Sequence, residues 1–160
     1  MIDNNRGYRN LILLGTAHEI QEKDFRDSQE FRRLLSYFVS KRRVDAILEE
    51  WWRGRPPTIG YDIANTFSTH WANVGTPDEP EFQTFEPGLA SSEIPPISLP
   101  WYGPLDVQLR RENYMVHRIE VEMSGRTCGL VVCGIAHLHS LFEKLVQRGF
   151  HVEALSWLGA

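Results

Sequence analysis

Two histidines of this chain each follow an apolar segment, a glycine and two further residues. His18 ends the segment LILLGTAH, and His137 ends the segment GLVVCGIAH. A third apolar segment, VDAILEEWW, contains the adjacent carboxylates Glu49 and Glu50. Imidazole and carboxylate groups serve as general acids and bases, and both bind divalent metals such as Mn, Fe, Co, Ni and Zn. These four residues are therefore candidates for a catalytic or metal-binding site.

Each of these segments is predicted to be a β-strand buried on both faces, because its apolar residues do not alternate with polar ones. Parallel strands end at one edge of their sheet, where sites in α/β proteins lie. We therefore expect His18, His137 and one of the glutamates to converge there. The strand register is not fixed by the sequence, so Glu49 and Glu50 are both candidates. A single Gly-x-x-His would be a chance match, but two after predicted strands favour a functional site.

The other segments predict an α/β fold, with a mostly parallel sheet flanked by helices. Hydrophobic spacing predicts strands over 11–14, 44–48, 127–133 and 152–155, and helices over 19–43, 105–123 and 139–148.

Residues 54–104 differ in composition from the rest of the chain, since they hold all of its prolines and no lysine. We predict a single domain over 1–160 with a lid-like insertion over 54–104. The insertion is predicted to be irregular, apart from a short helix over 63–71 and an edge strand over 81–87. Its aromatic residues argue against disorder. It either covers the strand ends or packs as a surface excursion on the sheet edge.

Arg111 lies near the start of the helix predicted over 105–123, soon after this insertion. If that end of the helix faces the strand ends, Arg111 binds an anionic group or stabilises negative charge that develops during a reaction. The alternative is a solvated helix face, on which Glu112 pairs with Arg110 or a nearby lysine. His139, two residues after His137, is expected at the surface rather than as a partner of the site.

The composition is that of a globular protein, with 160 residues, 42% hydrophobic residues and a net charge of −4. This charge gives no basic surface for nucleic acid. No run approaches the ~18 apolar residues of a membrane span, and the N-terminus has no signal-peptide pattern. Because Cys128 and Cys133 are predicted on opposite faces of one strand, a disulfide between them is not expected. We expect a cytoplasmic protein with no nucleic-acid or membrane partner, and a homo-oligomer is compatible with the sequence.

Four motifs in order resemble those of a known superfamily. They are GTAH at 15–18, ILEE at 47–50, RENYM at 111–115 and GIAH at 134–137. They look like the motifs of the superfamily that groups TraB and TIKI-like proteins with erythromycin esterase-like and ChaN-like proteins, and they extend over most of the chain. The resemblance implies an α/β sheet with a site of His18, Glu49, Arg111 and His137. Members include metal-dependent proteases, antibiotic-lactone esterases and a haem-binding lipoprotein, so the resemblance implies no single reaction.

We interpret the chain as a small hydrolase-like protein that activates water to attack an ester, amide or phosphoester of a small molecule or peptide. A divalent metal bound by His18, His137 and Glu49 or Glu50 would activate the water. Alternatively, a histidine would be the general base, oriented by a glutamate. A different class is a binding module that senses a small anionic ligand in the same pocket without turnover. A third is an interaction protein whose partner binds the aromatic insertion.

Overall fold

The computed structural model of the chain describes residues 9–22, 28–51, 57–75, 98–99 and 103–159. The elements in chain order are β1 (Asn10–Thr16), α1 (His18–Gln21), α2 (Ser28–Lys41), β2 (Ala46–Glu49), α3 (Ile59–Thr66), β3 (His70–Asn73), β4 (Ser98–Leu99), β5 (Gly103–Pro104), α4 (Leu105–Glu122), β6 (Cys128–Gly134), a 3₁₀ turn (Ile135–His137), α5 (Leu138–Gln147) and β7 (His151–Ser156).

Five strands form one sheet in the order β3-β2-β6-β1-β7, and every neighbouring pair is parallel. This confirms the predicted α/β fold with a parallel sheet. Strands β4 and β5 form a separate antiparallel pair. In the main sheet Thr16 of β1 lies beside Gly134 of β6, and Glu49 of β2 lies beside Val132. The three predicted strands that precede the candidate residues are therefore neighbours, and they end at the same edge.

Helices cover both faces of this sheet. Because side chains alternate along a strand, Leu11 and Leu13 of β1 pack with residues of α4 and α5, whereas Ile12 and Leu14 pack with residues of α2 and α3. All four are at most 2% exposed. A strand covered on both sides needs apolar residues at every position, which explains the uninterrupted apolar segments of the sequence.

The structure differs from the sequence prediction within residues 54–104. Helix α3 spans Ile59–Thr66 rather than 63–71, and β3 joins the main sheet as an edge strand beside β2. Residues 57–75 therefore extend the α/β layers. The strand predicted over 81–87 lies outside the described residues, so the lid stays a prediction there. The long helix predicted over 19–43 contains two helices, α1 and α2, with residues 23–27 outside the described part.

No helix in the described ranges combines the length and the apolar character that crossing a membrane requires.

Candidate functional site

Three chain segments bring the candidate residues together at the C-terminal edge of the sheet. His18 is the first residue of α1, two residues after β1 ends at Thr16, and His137 closes the 3₁₀ turn after β6. Glu50 directly follows β2, and its backbone N–H donates a hydrogen bond to the carbonyl oxygen of Val132 at 2.8 Å. The predicted convergence of both histidines with one of the two glutamates is confirmed.

The Glu50 carboxylate lies between the two imidazoles. Its Oε1 is 3.6 Å from Nε2 of His18, and its Oε2 is 3.6 Å from Nε2 of His137. The backbone N–H of Gly134 donates to Oε1 at 2.8 Å, which fixes the carboxylate against the end of β6. A Cβ atom at Gly134 would lie 3.0 Å from Nε2 of His18. A larger residue would therefore require the imidazole to shift by a few tenths of an ångström, and glycine lets the imidazole and the backbone approach each other closely.

His18 is held from its other ring nitrogen. Nδ1 of His18 forms a 2.8 Å hydrogen bond with Oε1 of Gln21, which lies three residues later in α1. Residues at this spacing share a helix face, so the short helix α1 brings both side chains together. The His18 side chain is 30% exposed, so solvent reaches the imidazole.

His137 is held by a carboxylate instead of an amide. Its Nδ1 lies 3.0 Å from Oε2 of Glu112 in α4, and the hydroxyl of Ser140 donates to Oε1 of Glu112 at 2.7 Å. The hydrogen bond with Glu112 raises the pKa of His137, which burial alone would lower, and the charge of Glu50 raises it further. Burial acts to raise the pKa of Glu112, but the contacts with His137 and Ser140 outweigh it and the pKa is lowered. A charged pair is thus favoured.

Glu49 does not face the two histidines. It is 0% exposed, and its Oε1 accepts hydrogen bonds from the hydroxyl of Thr58 and, at 2.7 Å, from the indole N–H of Trp71. Its Oε2 accepts from Nε2 of Gln21 at 2.8 Å. Desolvation on burial raises the pKa of Glu49 despite these donors. The structure therefore places Glu50 against the imidazoles and Glu49 in a buried network behind them, because adjacent side chains point in opposite directions.

Arg111 is exposed, and its positive charge acts on His137 to oppose protonation of the imidazole. Arg111 is therefore near enough to His137 to act on it electrostatically, and its predicted role toward an anionic group stays a prediction. The next residue, Glu112, does not lie on a solvated helix face as in the alternative interpretation, although a lysine is near it as that interpretation expected. It is 8% exposed and bound to His137 and Ser140, with Nζ of Lys144 3.9 Å away.

Sequence reasoning missed Gln21 and did not assign Glu112, Thr58 or Trp71 to the site. Gln21 carried a usable signal, because it follows His18 by three residues at the start of a helical segment. The other contacts join distant segments and had no local signal. His139 lies at the surface as expected, where its side chain is 87% exposed and pairs with Glu143.

The donor types of the site suit a divalent metal, and an imidazole whose Nδ1 is hydrogen-bonded presents Nε2 as a ligand. Their arrangement does not fit one as it stands. Within the described part of the chain, no group of three or more His, Cys, Asp and Glu side chains is placed to hold a metal ion. Each histidine faces a different oxygen of Glu50, so side chains would have to move to surround one ion. The metal site of His18, Glu49, Glu50 and His137 stays a prediction.

Comparison with known proteins adds no relative. No protein-family model, curated protein or solved structure matches the chain. The resemblance to the TraB and erythromycin esterase superfamily accordingly stays a prediction that rests on the four motifs.

Proposed function

We propose that this chain is a hydrolase-like enzyme that activates water between His18, Glu50 and His137 to cleave an ester, amide or phosphoester. The observation that supports this most is the geometry of the two imidazoles. Both turn Nε2 toward one carboxylate at 3.6 Å, and both have Nδ1 bound by a fixed partner. Packing does not require this arrangement, whereas a site that moves protons does.

The two histidines have different partners, which favours different roles. His137 is bound by a carboxylate that raises its pKa, so it is suited to be the general acid that donates its Nε2 proton to the leaving group. His18 is bound by a neutral amide, so it is suited to be the general base that takes a proton from water. The hydroxide equivalent forms the new bond to carbon or phosphorus as the bond to the leaving group breaks, and solvent returns the proton.

The other charged residues would orient the reactants. Glu50 lies within 3.6 Å of both imidazoles and can accept a hydrogen bond from a protonated His137 or from a water beside it. Arg111, which is exposed and acts electrostatically on His137, would bind an anionic group of the substrate or stabilise negative charge on the attacked oxygen. A bound divalent metal would add Lewis-acid activation of water, and none of these roles depends on it.

We also propose a cytoplasmic location, which the two free cysteines suit.

The test is hydrolysis of a panel of chromogenic substrates: a p-nitrophenyl ester, an anilide, a phosphomonoester and a phosphodiester. We expect activity toward one class, and a loss of roughly 100-fold or more in kcat for His18→Ala and for His137→Ala. His139→Ala is the matched control, because His139 is an exposed histidine two residues from the site. Equal activity in all four proteins would indicate a contaminant, and inactivity toward every class, with and without added Mn, Co, Ni or Zn, would reject the enzyme.

The binding module is the second candidate, and the charge at the edge of the site favours it. Arg111 and a protonated His137 would both attract an anion. If no substrate class is hydrolysed but a small carboxylate or phosphate raises the melting temperature of the wild type and not of Arg111→Ala, this candidate replaces the enzyme.

A further inference from the structure

A continuous series of hydrogen bonds connects the buried Glu49 to Nδ1 of His18 through Gln21. Oε2 of Glu49 accepts from Nε2 of Gln21 at 2.8 Å, and Oε1 of Gln21 lies 2.8 Å from Nδ1 of His18. A positive charge on the His18 imidazole acts to lower the pKa of Glu49. Glu49 and His18 are therefore linked through Gln21 and by their charges.

The contacts of Gln21 determine which end of its amide faces His18. Nε2 of Gln21 lies near two acceptors, Oε2 of Glu49 at 2.8 Å and the backbone carbonyl oxygen of Glu50 at 3.4 Å. A backbone carbonyl oxygen can only accept, so the amide N–H₂ group belongs on that side. The amide oxygen is then the atom next to Nδ1 of His18, and because this oxygen can only accept a hydrogen bond, Nδ1 must carry the hydrogen that it donates.

Glu49 is itself held in one orientation. The indole N–H of Trp71 can only donate, and it binds Oε1 together with the hydroxyl of Thr58. Helix α3 also passes close to this carboxylate, since a Cβ atom at Gly60 would lie 2.1 Å from Oε1 of Glu49. Oε2 is thus the oxygen that remains for Gln21. The buried carboxylate acts as a fixed reference for the orientation of the amide.

We propose that Glu49 and Gln21 are positioning residues that hold neutral His18 as the tautomer with its proton on Nδ1. The lone pair is then on Nε2, the nitrogen that faces Glu50 at 3.6 Å. A free neutral histidine carries its proton mainly on Nε2. The series of hydrogen bonds from Glu49 through Gln21 to His18, called the relay below, therefore reverses the usual tautomer preference. The catalytic value of this tautomer rests on the proposed function, since only Nε2 with a lone pair can take a proton from water in the site. The tautomer itself does not depend on any activity.

The direct test is the ¹⁵N spectrum of the histidine side chains in ¹⁵N-histidine-labelled protein at about pH 8.5, where an ordinary imidazole is neutral. We expect His18 to show a protonated-type shift for Nδ1 and an unprotonated-type shift for Nε2. The exposed His139 serves as the internal reference. A wild-type spectrum in which His18 carries its proton on Nε2 would overturn the proposal.

Glu49→Gln is the decisive variant, because it changes one oxygen to nitrogen two side chains away from the imidazole. The new amide oxygen must accept from Trp71, so its N–H₂ group replaces Oε2 and faces Gln21. Gln21 would then turn its own oxygen inward and its N–H₂ group toward His18, and it would give up the 3.4 Å contact with the carbonyl oxygen of Glu50. We expect the two ¹⁵N shifts of His18 to exchange. Unchanged shifts in a variant whose amide spectrum shows a folded protein would overturn the relay.

The double variant Glu49→Gln/Gln21→Glu provides the rescue. A carboxylate at position 21 accepts both from the new amide at position 49 and from Nδ1 of His18, so the wild-type pair of shifts should return with the total charge unchanged. Gln21→Met, which cannot orient the imidazole, should give a mixture of tautomers even if Glu49→Gln does not fold. A relay confirmed by these spectra in a protein without hydrolase activity would reject the proposed function alone.

Discussion

The carboxylate of Glu112 lies 3.0 Å from Nδ1 of His137, although the two residues are 25 positions apart in the chain. The contact joins helix α4 to the start of α5, and the hydroxyl of Ser140 completes it at 2.7 Å. The two side chains are only 10% and 19% exposed. A partly buried charged pair of this kind resists screening by salt, and it fixes both the orientation and the charge of the imidazole.

The stability that this pair contributes should depend on pH in a predictable window. The pKa of Glu112 is lowered in the folded state, so its contribution is present above its ordinary pKa and is lost as the pH falls through the lowered value. The pKa of His137 is raised, so its contribution is present below its ordinary pKa and is lost as the pH rises through the raised value. Both are therefore complete between the ordinary values of 4.5 and 6.5.

Glu112→Gln tests this window. Its free energy of unfolding in urea should fall by about 1 kcal/mol between these pH values, because a charge-assisted hydrogen bond becomes a neutral one. The difference from wild type should shrink on either side, and the pKa of His137 followed by NMR should fall. Chelator in all samples prevents adventitious metal from contributing. A stability difference that does not vary with pH would contradict the charged pair.

Site and scaffold should separate in mutagenesis. His18→Ala and His137→Ala should abolish activity or ligand binding and change stability only modestly, because these residues lie at the edge of the sheet. Ile12→Ala, Leu48→Ala and Val132→Ala remove side chains that are at most 2% exposed, and each should cost about 1–5 kcal/mol through lost packing. Urea unfolding measures both sets. If the histidine variants unfold instead, the histidines are structural.

Much of this fold follows from local sequence signals. The apolar segments that end before His18, Glu50 and His137 are buried on both faces, and a strand of a covered parallel sheet must be apolar throughout. Strand β3 escaped prediction because it is short and its sequence, HWAN, carries no such signal. It forms through pairing with β2, where Trp71 lies beside Ile47. A pairing between distant segments cannot be predicted from the local sequence of either segment.

The sequence predicted which strands carry the site residues, but it did not predict the hydrogen-bond partners of those residues. Glu49 and Glu50 are the same residue type, and a shift of one position reverses which of the two side chains points to a given face of the sheet. Glu49 is the buried one of the two because Thr58 and Trp71 bind its carboxylate, and both of these residues lie beyond the end of β2 in the sequence. The role of Glu112 likewise depends on how α4 packs near α5, since nothing in its neighbourhood in the sequence indicates His137.

Gly60→Ala should lower the free energy of unfolding, whereas a glycine-to-alanine substitution inside a helix usually raises it. Alanine in place of glycine inside a helix usually stabilises by roughly 0.5–1 kcal/mol. Here the new methyl group would lie 2.1 Å from Oε1 of the buried Glu49, so we expect a loss of about 1–3 kcal/mol in urea unfolding. Asn65→Ala, at an exposed position of the same helix, is the control and should change little. A stabilised Gly60→Ala protein would mean that the Glu49 carboxylate can move.

The metal prediction can be tested without knowing the substrate. If His18 and His137 bind a divalent ion after their side chains rearrange, the ion stabilises the folded state by mass action. The melting temperature should then rise with Mn, Co, Ni or Zn at about pH 7.5. The rise should shrink near about pH 5.5, because protons compete for the imidazole nitrogens.

Variants show whether any such rise comes from this site. The shift should largely vanish in His18→Ala and persist in His139→Ala, which removes an exposed histidine that is not part of the group. A shift that survives in the double variant His18→Ala/His137→Ala would place the metal elsewhere in the protein. If no metal shifts the wild type and purified protein contains none, the metal prediction fails. Hydrolysis would then depend on the two imidazoles and Glu50 alone, and the chelator-treated enzyme should retain its full activity.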